Sequence, residues 1–299
     1  MDRLHLIEVF ISVAEAESFS GAARRLGRSP AAVSRAIAAL EAGLNVKLLN
    51  RSTRSVRVTE AGQIYLDLVR RIVSEIDEAD EAAAGINAEP RGRLAITAPV
   101  QFGKRYVTPA IVEYLRRYPE MEVSGLFLDR VVNLLEEGLD VAIRIGELPD
   151  SSLRAIRVGQ VRKVVCASPE YLENHPNPQI PAELTQHLIV AATSVTPTTE
   201  WKFHQGAATT TVRVKPRFSV SSIESALAAV SEGFGITRLM SYQVAPYLST
   251  GQLKTILTEY EPPPLPIHVL HNEGRYSSTK VRTFIDHVVD KFRADTILN

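Results

Sequence analysis

The chain has 299 residues, enough for about two domains with cores of their own, and its 34 basic and 34 acidic residues cancel. A hydrophobic share of 45% and a charged share of 23% are typical of a globular protein and argue against extensive disorder. Charged residues near the start and the lack of any apolar run approaching about 18 residues predict a cytoplasmic protein with no membrane segment. Cys166 is the only cysteine, so we expect a buried thiol, no intramolecular disulfide and no cysteine-based metal cage.

Apolar residues at helical spacing predict a first helix from about Arg3 to Ala16. A second short helix follows, with Ser18 or Ser20 as its capping residue and Gly27 at its end. A tight turn then leads into a third helix. Two short helices joined in this way are typical of a helix-turn-helix, a motif that enters the major groove of duplex DNA.

The third helix has strong boundary signals. Ser29 supplies a capping hydroxyl, and Pro30 supplies a preset φ at a position whose N–H has no partner in a helix. We expect the helix to run to about Ala42 and Gly43 to end it. Its two faces differ in chemistry: the apolar face carries Val33, Ile37, Leu40 and Leu44, and the opposite face carries Ala31, Ser34, Arg35 and Ala38.

The small, nearly uncharged face suits close entry into the major groove. Arg can bind guanine through two hydrogen bonds, Ser can donate or accept, and Ala can touch a thymine methyl group. The alternative is an ordinary solvated helix face, although such faces usually carry more charge. Ser29, Pro30, Ala31, Ser34, Arg35 and Ala38 are therefore the candidate DNA-binding residues of this helix.

The segment around this helix is strongly basic. One acid, Glu41, stands against eight basic residues: Arg24, Arg25, Arg28, Arg35, Lys47, Arg51, Arg54 and Arg57. After Gly43, alternating apolar and basic residues predict a short two-stranded wing. Arg51, Arg54 and Arg57 are the candidate phosphate contacts, which strengthen binding and its salt dependence without reading sequence.

These residues resemble the winged helix-turn-helix of the LysR-type transcriptional regulators. The shared pattern is carried by Ala22, Ala23, Leu26, Ser29, Val33, Ser34, Ile37, Leu40, Glu41, Leu49 and Arg51. At Pro30 the sequence departs from the family, since many members carry Gln followed by Pro there. Base recognition is therefore expected to depend more on Ser34 and Arg35.

A long amphipathic helix is predicted to begin at the capping residue Thr59. Its apolar stripe is formed by Ile64, Leu68, Ile72, Ile76, Ala79, Ala83 and Ile86, and eight acids against two arginines between Glu60 and Glu89 exclude DNA as its partner. The stripe could pack on its own domain, but dimerisation is favoured. The resemblance implies a linker helix that pairs antiparallel with its copy, and hence an inverted-repeat-like DNA site.

From residue 90 onwards strands and helices alternate. A βαβαβ pattern with strands at 94–98, 121–128 and 140–146 and helices at about 104–118 and 131–137 predicts a parallel sheet. A second α/β region follows, with a capping box of Ser221 and Glu224. The proline-rich stretch at 261–266 is interpreted as a crossing back to the first region.

The patterns DRVVNLLEEGLDVAIRIGELPDSSL (129–153) and VVCASPEYL (164–172) resemble the effector-binding domain of the same family, and the resemblance extends over residues 91–299. That domain is an α/β domain of two lobes similar to periplasmic solute-binding proteins. The expected organisation is a winged helix-turn-helix domain at 1–59, a linker helix at 60–89 and an effector-binding domain at 90–299. Within that domain, lobe I comprises about 90–161 and 267–299, and lobe II about 162–266.

The resemblance implies a small molecule in the cleft between the lobes, and helix N-termini near Gly103 and Ser221 favour an anionic group. Two of the candidates have open alternatives, since Gln101 could be a surface loop residue and Trp201 a core anchor. The candidate effector contacts are Thr97, Val100, Gln101, Phe102, Ile145, Gly146, Thr193, Trp201, Ser221, Gly233, Phe234 and Gly235.

No catalytic motif or metal-spaced histidine cluster occurs, so we expect neither an enzyme nor a cofactor or metal site. An enzyme on the solute-binding fold and a purely sensory solute-binding protein are the alternatives, but neither explains the basic N-terminal segment. The expected partners are double-stranded DNA, a small-molecule effector, further copies of the chain in a dimer or tetramer, and RNA polymerase.

Overall fold

The computed structural model describes residues 2–51, 56–84, 89–134, 136–148, 153–193, 199–206, 208–272 and 278–298. They divide into two units, one formed mainly by Met1–Glu89 and the other by most of residues 90–299.

Three helices and a two-stranded wing open the first unit. Helix α1 (Arg3–Ala16) has the predicted bounds, α2 is Phe19–Arg25, and α3 is Pro30–Leu44. The wing consists of β1 (Leu49–Arg51) and β2 (Val56–Val58), paired antiparallel, and α4 (Glu60–Ala84) follows it.

The ends of these helices follow from capping chemistry. Ser18 and Ser29 cap α2 and α3, and the Thr59 hydroxyl accepts from the amide of Gly62 at 2.9 Å at the start of α4. Helix α3 does not end at Gly43 as expected. It continues to Leu44, because Asn45 takes up the left-handed conformation (φ 53°) that ends the helix.

A shared apolar core holds this unit together. It contains Phe10 and Val13 of α1, Ile37 of α3, and Leu66 and Val69 of α4, all buried. Helix α4 also passes very close to the wing, since a Cβ on Gly62 would lie 2.1 Å from the backbone oxygen of Leu48. Only glycine fits at that crossing.

Glu41 ties the end of α3 to the start of the wing. Its side chain is 3% exposed and accepts hydrogen bonds from the amides of Leu48 (3.0 Å) and Leu49 (3.1 Å) and from Lys47 Nζ (2.7 Å). Burial opposes its ionisation, but these hydrogen bonds outweigh burial and hold the pKa of Glu41 below its usual value. The one acid of the basic segment is thus a structural anchor.

The second unit contains two five-stranded sheets. The elements from β3 to β6 are β3 (Gly92–Ala98), α5 (Val100–Phe102), a π-helical turn (Gly103–Val107), α6 (Thr108–Arg117), β4 (Met121–Phe127), β5 (Val141–Ile145) and β6 (Arg154–Val161). Those from β7 to β10 are β7 (Lys163–Ala167), α7 (Pro169–Asn174), a 3-10 turn (Pro181–Gln186), β8 (Ile189–Ala192), β9 (Glu200–Gln205) and β10 (Ala208–Arg213). The remaining elements are β11 (Pro216–Val220), α8 (Ile223–Ser231), β12 (Ile236–Met240), α9 (Ser241–Ser249), β13 (Lys254–Ile256), a 3-10 turn (Thr258–Tyr260), β14 (Leu265–His271) and α10 (Thr279–Arg293).

The first sheet has the strand order β4-β3-β5-β14-β6. The three strands β4, β3 and β5 are parallel as predicted, but β14 enters antiparallel between β5 and β6, so the sheet is mixed. The helix expected at 131–137 does not form over the described residues of that range, which are coil and turn. Val131 is 86% exposed, so its burial contributes little that would stabilise such a helix.

The second sheet has the order β11-β8-β12-β7-β13 and two covered faces. Helices α8 and α9 cover the face that carries the buried thiol of Cys166, whose pKa burial raises to about 12. The hairpin of β9 and β10 covers the other face, where Trp201 and Phe203 pack on Val165 and Ile236. The chain passes between the sheets twice, at Arg162 and again before β14.

We expect Glu41→Gln to destabilise the first unit by about 1–3 kcal/mol, because two buried amides lose a charged acceptor. Melting of the full chain and hydrogen exchange at the amides of Leu48 and Leu49 would measure this. Lys47→Met is the matched comparison, and it should cost less than Glu41→Gln because the Lys47 side chain is 77% exposed and both amide hydrogen bonds to Glu41 remain.

Comparison of wild type with Glu41→Gln at different pH values gives a second test. A lowered pKa in the folded state stabilises the fold above the unfolded-state value of about 4.3 and loses that contribution as the pH falls through the folded-state value. The stability gap between wild type and Glu41→Gln should therefore close in acid. A gap that stayed constant down to acid unfolding would contradict an ionised Glu41.

Candidate nucleic-acid interface and ligand cleft

The predicted residues of α3 share one accessible face. Ala31, Arg35 and Ala38 are exposed and Ser34 is half-buried, whereas Val33, Ile37 and Leu40 on the opposite side are buried. Ser29 and Pro30 are exposed at the helix start, and the Ser29 hydroxyl accepts from the amide of Ala32 at 3.2 Å. The helix therefore presents a face of small side chains with one guanidinium.

The wing adds an exposed cation. Arg57 is exposed on β2 opposite Asn50, and Arg51 lies in β1 opposite Val56. Arg54, the third predicted phosphate contact, lies outside the described residues. Exposed Arg24, near the end of α2, and exposed Arg28, in the turn before α3, are further cations that were not among the predicted contacts, although the basic count of this segment pointed to them. Arg25 instead binds Glu15 at 2.8 Å.

Helix α4 has two apolar stripes with different surroundings. Leu66 and Val69 are buried in the core of the first unit. Ile64, Leu68 and Ile72 are 61%, 52% and 47% exposed within the single chain. The predicted stripe is thus a separate surface from the one that packs on its own unit.

In the second unit, strand direction decides which loops meet at the cleft. The parallel strands β3 and β5 end at Ala98 and Ile145, and β8 and β11 end at Ala192 and Val220. The predicted residues after these ends are Val100, Gln101, Gly146, Thr193 and Ser221, and all of them are exposed or half-buried. Ligands in open α/β folds bind at such carboxyl edges.

A polar link crosses from one lobe to the other. The side chain of Gln101, in α5 just after β3, is one of the groups that lower the pKa of Glu224 at the start of α8. Burial opposes the ionisation of Glu224, but its own backbone amide, Gln101, Ser222 and the charge of Lys104 outweigh burial and hold the pKa of Glu224 below its usual value. Gln101 is therefore placed between the lobes and not in an isolated surface loop.

An apolar contact crosses beside it. Tyr242, from the start of α9, packs its ring edge-on against Phe102 with centroids 5.5 Å apart, and Arg105 Nη1 donates to the Tyr242 carbonyl at 2.9 Å. Phe102 was expected to line the cleft, but it is fully buried in the core of the first lobe. Thr97 is also fully buried, and its hydroxyl has no hydrogen-bond partner among the described residues.

The two helix N-termini are already faced by carboxylates. The helix after β3 begins at Val100 and not near Gly103, and its first amide donates to Asp129 Oδ1 at 3.0 Å. Helix α8 is capped by Ser222 and not by Ser221, and the Ser222 hydroxyl donates to Glu224 at 3.2 Å. The expected preference of these sites for an added anion is thus offset by the chain's own acids.

Gly233, Phe234 and Gly235 lie at the wrong edge of the second sheet for the cleft. They precede β12, whose first residue Ile236 pairs with Ile189, the first residue of the parallel strand β8. They therefore sit at the amino edge, opposite Thr193. These three residues therefore do not lie at the predicted site. They were expected there because the sequence does not reveal which end of β12 faces the cleft.

Trp201 lies in the core of the second lobe. It is 2% exposed and packs under the β9–β10 hairpin, which fits the core anchor that the sequence left open. The Arg238 guanidinium stacks over its ring at 4.9 Å.

Across the described residues, the structure has no helix long and apolar enough to cross a membrane.

Comparison with known proteins agrees with this geometry. Residues 4–63 match the bacterial regulatory helix-turn-helix proteins of the lysR family, and residues 87–293 match the LysR substrate-binding domain. The transcriptional activator AaeR of Escherichia coli is 33% identical over 294 residues, which are 98% of this chain and 94% of that protein.

Solved structures are similar over nearly the whole length. The virulence activator AphB of Vibrio cholerae is 30% identical with a TM-score of 0.64, covering 97% of this chain and 99% of that one. CrgA of Neisseria meningitidis is 31% identical with a TM-score of 0.62, covering 96% and 98%. The chain therefore belongs to the LysR-type transcriptional regulators, in which a helix-turn-helix binds promoter DNA and a small-molecule effector in the regulatory domain modulates that binding.

Proposed function

We propose that this chain binds an inverted-repeat DNA site as a dimer and that a small molecule in the interlobe cleft controls the binding. The observation that carries the DNA-binding part is the exposed face of α3, where small side chains surround Arg35. Ser34, Arg35, Ala31 and Ala38 then contact base edges, while Ser29 and Pro30 lie at the helix start near the backbone. Arg51, Arg54 and Arg57 bind phosphates.

The dimer is proposed to form through Ile64, Leu68 and Ile72 of α4. These side chains repeat every four residues and are 47–61% exposed in the single chain, so a second copy of α4 would bury them. Pairing of two such helices spaces two copies of α3 for half-sites about one helical turn apart. A tetramer follows if two dimers join through their regulatory domains.

Effector control is proposed to act through the Gln101–Glu224 link, which joins the lobes at the cleft. A ligand that competes for Gln101, or bridges it to Thr193 or Ser221, changes how the lobes are held together. We place this action in the cytoplasm, where the DNA partner lies, with RNA polymerase as the downstream partner and with no catalytic step.

Arg35→Ala should weaken binding to the cognate site and relax base preference by about 1–3 kcal/mol at one position, because a bidentate base contact is lost. Arg57→Ala is the matched comparison and should weaken cognate and random DNA alike and flatten the salt dependence. Fluorescence anisotropy on both DNAs at several salt concentrations measures this. Identical behaviour of the two variants would contradict the assigned roles.

Leu68→Glu should shift the chain from dimer to monomer, because it places a charge in the apolar stripe. Sedimentation analysis would measure the change, and cooperative binding to paired half-sites should be lost with it. Gln63→Glu adds the same charge on an exposed neighbouring position outside the stripe and should leave the dimer intact. An unchanged dimer in Leu68→Glu would remove α4 from the interface.

For an effector found by thermal-shift screening of the full chain, Gln101→Ala should weaken binding about three- to tenfold, the loss expected for one hydrogen bond. Titration calorimetry measures the affinity. Gln205→Ala, an exposed glutamine at the end of β9, is the control and should bind normally. Undiminished affinity in Gln101→Ala would remove Gln101 from the effector site.

A further inference from the structure

Arg238 is a buried cation with incomplete hydrogen bonding. It lies on β12 with 6% of its surface exposed, and its guanidinium stacks over Trp201 at 4.9 Å and near Phe203 at 5.8 Å. Nη1 donates to the Lys202 carbonyl at 3.2 Å, but the buried Nε–H has no partner among the described residues. A buried donor without a partner is costly, so an acceptor is expected there.

A second cation lies on the same face of the sheet. In the antiparallel pair of β12 and β7, Met240 is opposite Lys163 and Arg238 is opposite Val165. Alternation therefore places Lys163 and Arg238 diagonally, about 7–8 Å apart at the backbone, within reach of each other's long side chains. Burial and the charge of Arg238 both lower the pKa of Lys163, and burial lowers that of Arg238 to about 10.

The described residues provide no acid to neutralise this pair. Glu200 precedes Trp201 on β9, but it is exposed on the opposite face of the hairpin. Glu261 is bound to Arg162 at 2.6 Å. Residues 194–198, which precede β9 and lie outside the described residues, contain no Asp or Glu in the sequence.

Two neighbouring cations with little access to water need a counterion, a hydrogen-bond acceptor or an aromatic face to stabilise them, and the contact with Trp201 contributes about 2 kcal/mol or more. Lys163 is the first residue of β7 and Met240 the last of β12, so this pair lies toward the end of the sheet that faces the cleft. An anion entering from that end would meet both charges.

We propose that Lys163 and Arg238 form an oxyanion subsite for the carboxylate or phosphate group of a small molecule. The group accepts from Arg238 Nε and Lys163 Nζ, next to the aromatic surface of Trp201. This proposal rests on effector binding by the second lobe and names the chemical class of the effector. The anion was expected at the helix N-termini, which Asp129 and Glu224 already face. The proposed subsite lies instead on the face of the second sheet that the β9–β10 hairpin covers.

The site carries its own reporter, because Trp201 is the only tryptophan in the chain. Tryptophan emission of the full-length protein would be followed at constant ionic strength during titration with sodium benzoate, inorganic phosphate and the neutral benzamide. We expect a saturable change with benzoate or phosphate and none with benzamide. The anion that saturates at lower concentration distinguishes a carboxylate from a phosphate ligand.

Variants test the two residues separately. Arg238→Met should abolish the response, and Lys163→Met should weaken it about tenfold or more, as expected for loss of a charge-assisted hydrogen bond. Lys254→Met, an exposed lysine on β13 of the same lobe, should respond like wild type. Because Lys163 is only half-buried, its variant keeps the test decisive if Arg238→Met fails to fold.

The proposal is overturned if neither anion gives a saturable change in wild type, or if Lys163→Met responds with unchanged affinity. DNA binding by the same samples separates this outcome from failure of the proposed function. Specific DNA binding by wild type without an anion response would reject the subsite alone. Absence of specific DNA binding by wild type would reject the proposed function, with or without a change in Trp201 emission.

Discussion

The buried, ionised carboxylate of Glu41 fixes the geometry on which DNA binding by this chain depends. The small face of α3 and the exposed Arg57 of the wing must keep a constant separation if they are to meet base edges and phosphates together, as proposed above. Glu41 binds the first amides of the wing from the last turns of α3. Gly62 lets α4 cross directly over Leu48 behind them. The Glu41 carboxylate therefore joins α3 to the wing, and the lack of a side chain at Gly62 lets α4 pack directly against it.

In the second unit the controlling constraint is strand direction. Parallel strands send their following loops to one edge, which brings Gln101, Gly146, Thr193 and Ser221 to the cleft and leaves the turn before β12 at the other edge. The lobes meet there at Gln101 and Glu224, where Gln101 helps to lower the pKa of Glu224, and at the packing of Tyr242 on Phe102. Charge is distributed unevenly around this region, with Asp129 and Glu224 at the helix starts and the cations Lys163 and Arg238 on the second sheet.

Local signals in the sequence were sufficient to predict most of the secondary structure of the first unit. The bounds of α1, the caps at Ser29 and Thr59, and the division of α3 into a buried and an exposed face were predicted, because each depends on residues within one or two turns. For α2 the sequence left Ser18 and Ser20 open, and the structure has Ser18 as the cap. The end of α3 was missed because Asn45 competed with Gly43 for the left-handed position. The cap of α8 was misplaced by one residue because two serines stand side by side.

The features that sequence could not provide are set by contacts distant in the chain. Strand β14 lies between β5 and β6 and runs antiparallel to both, and no local sequence pattern predicts this position or direction. Burial of Trp201 depends on how the β9–β10 hairpin folds over the sheet. The proximity of Lys163 and Arg238 requires the register of β7 and β12, which lie about seventy residues apart. The resemblance to a family predicted the lobes, but not these contacts.

Footprinting on the intergenic DNA next to this chain's own gene tests the account most directly. The account predicts protection of an inverted repeat whose half-sites lie about one helical turn apart, and a change in the protected pattern when an effector is added. Protection of a single unpaired half-site, or the absence of any sequence-specific protection by the full-length protein, would contradict it.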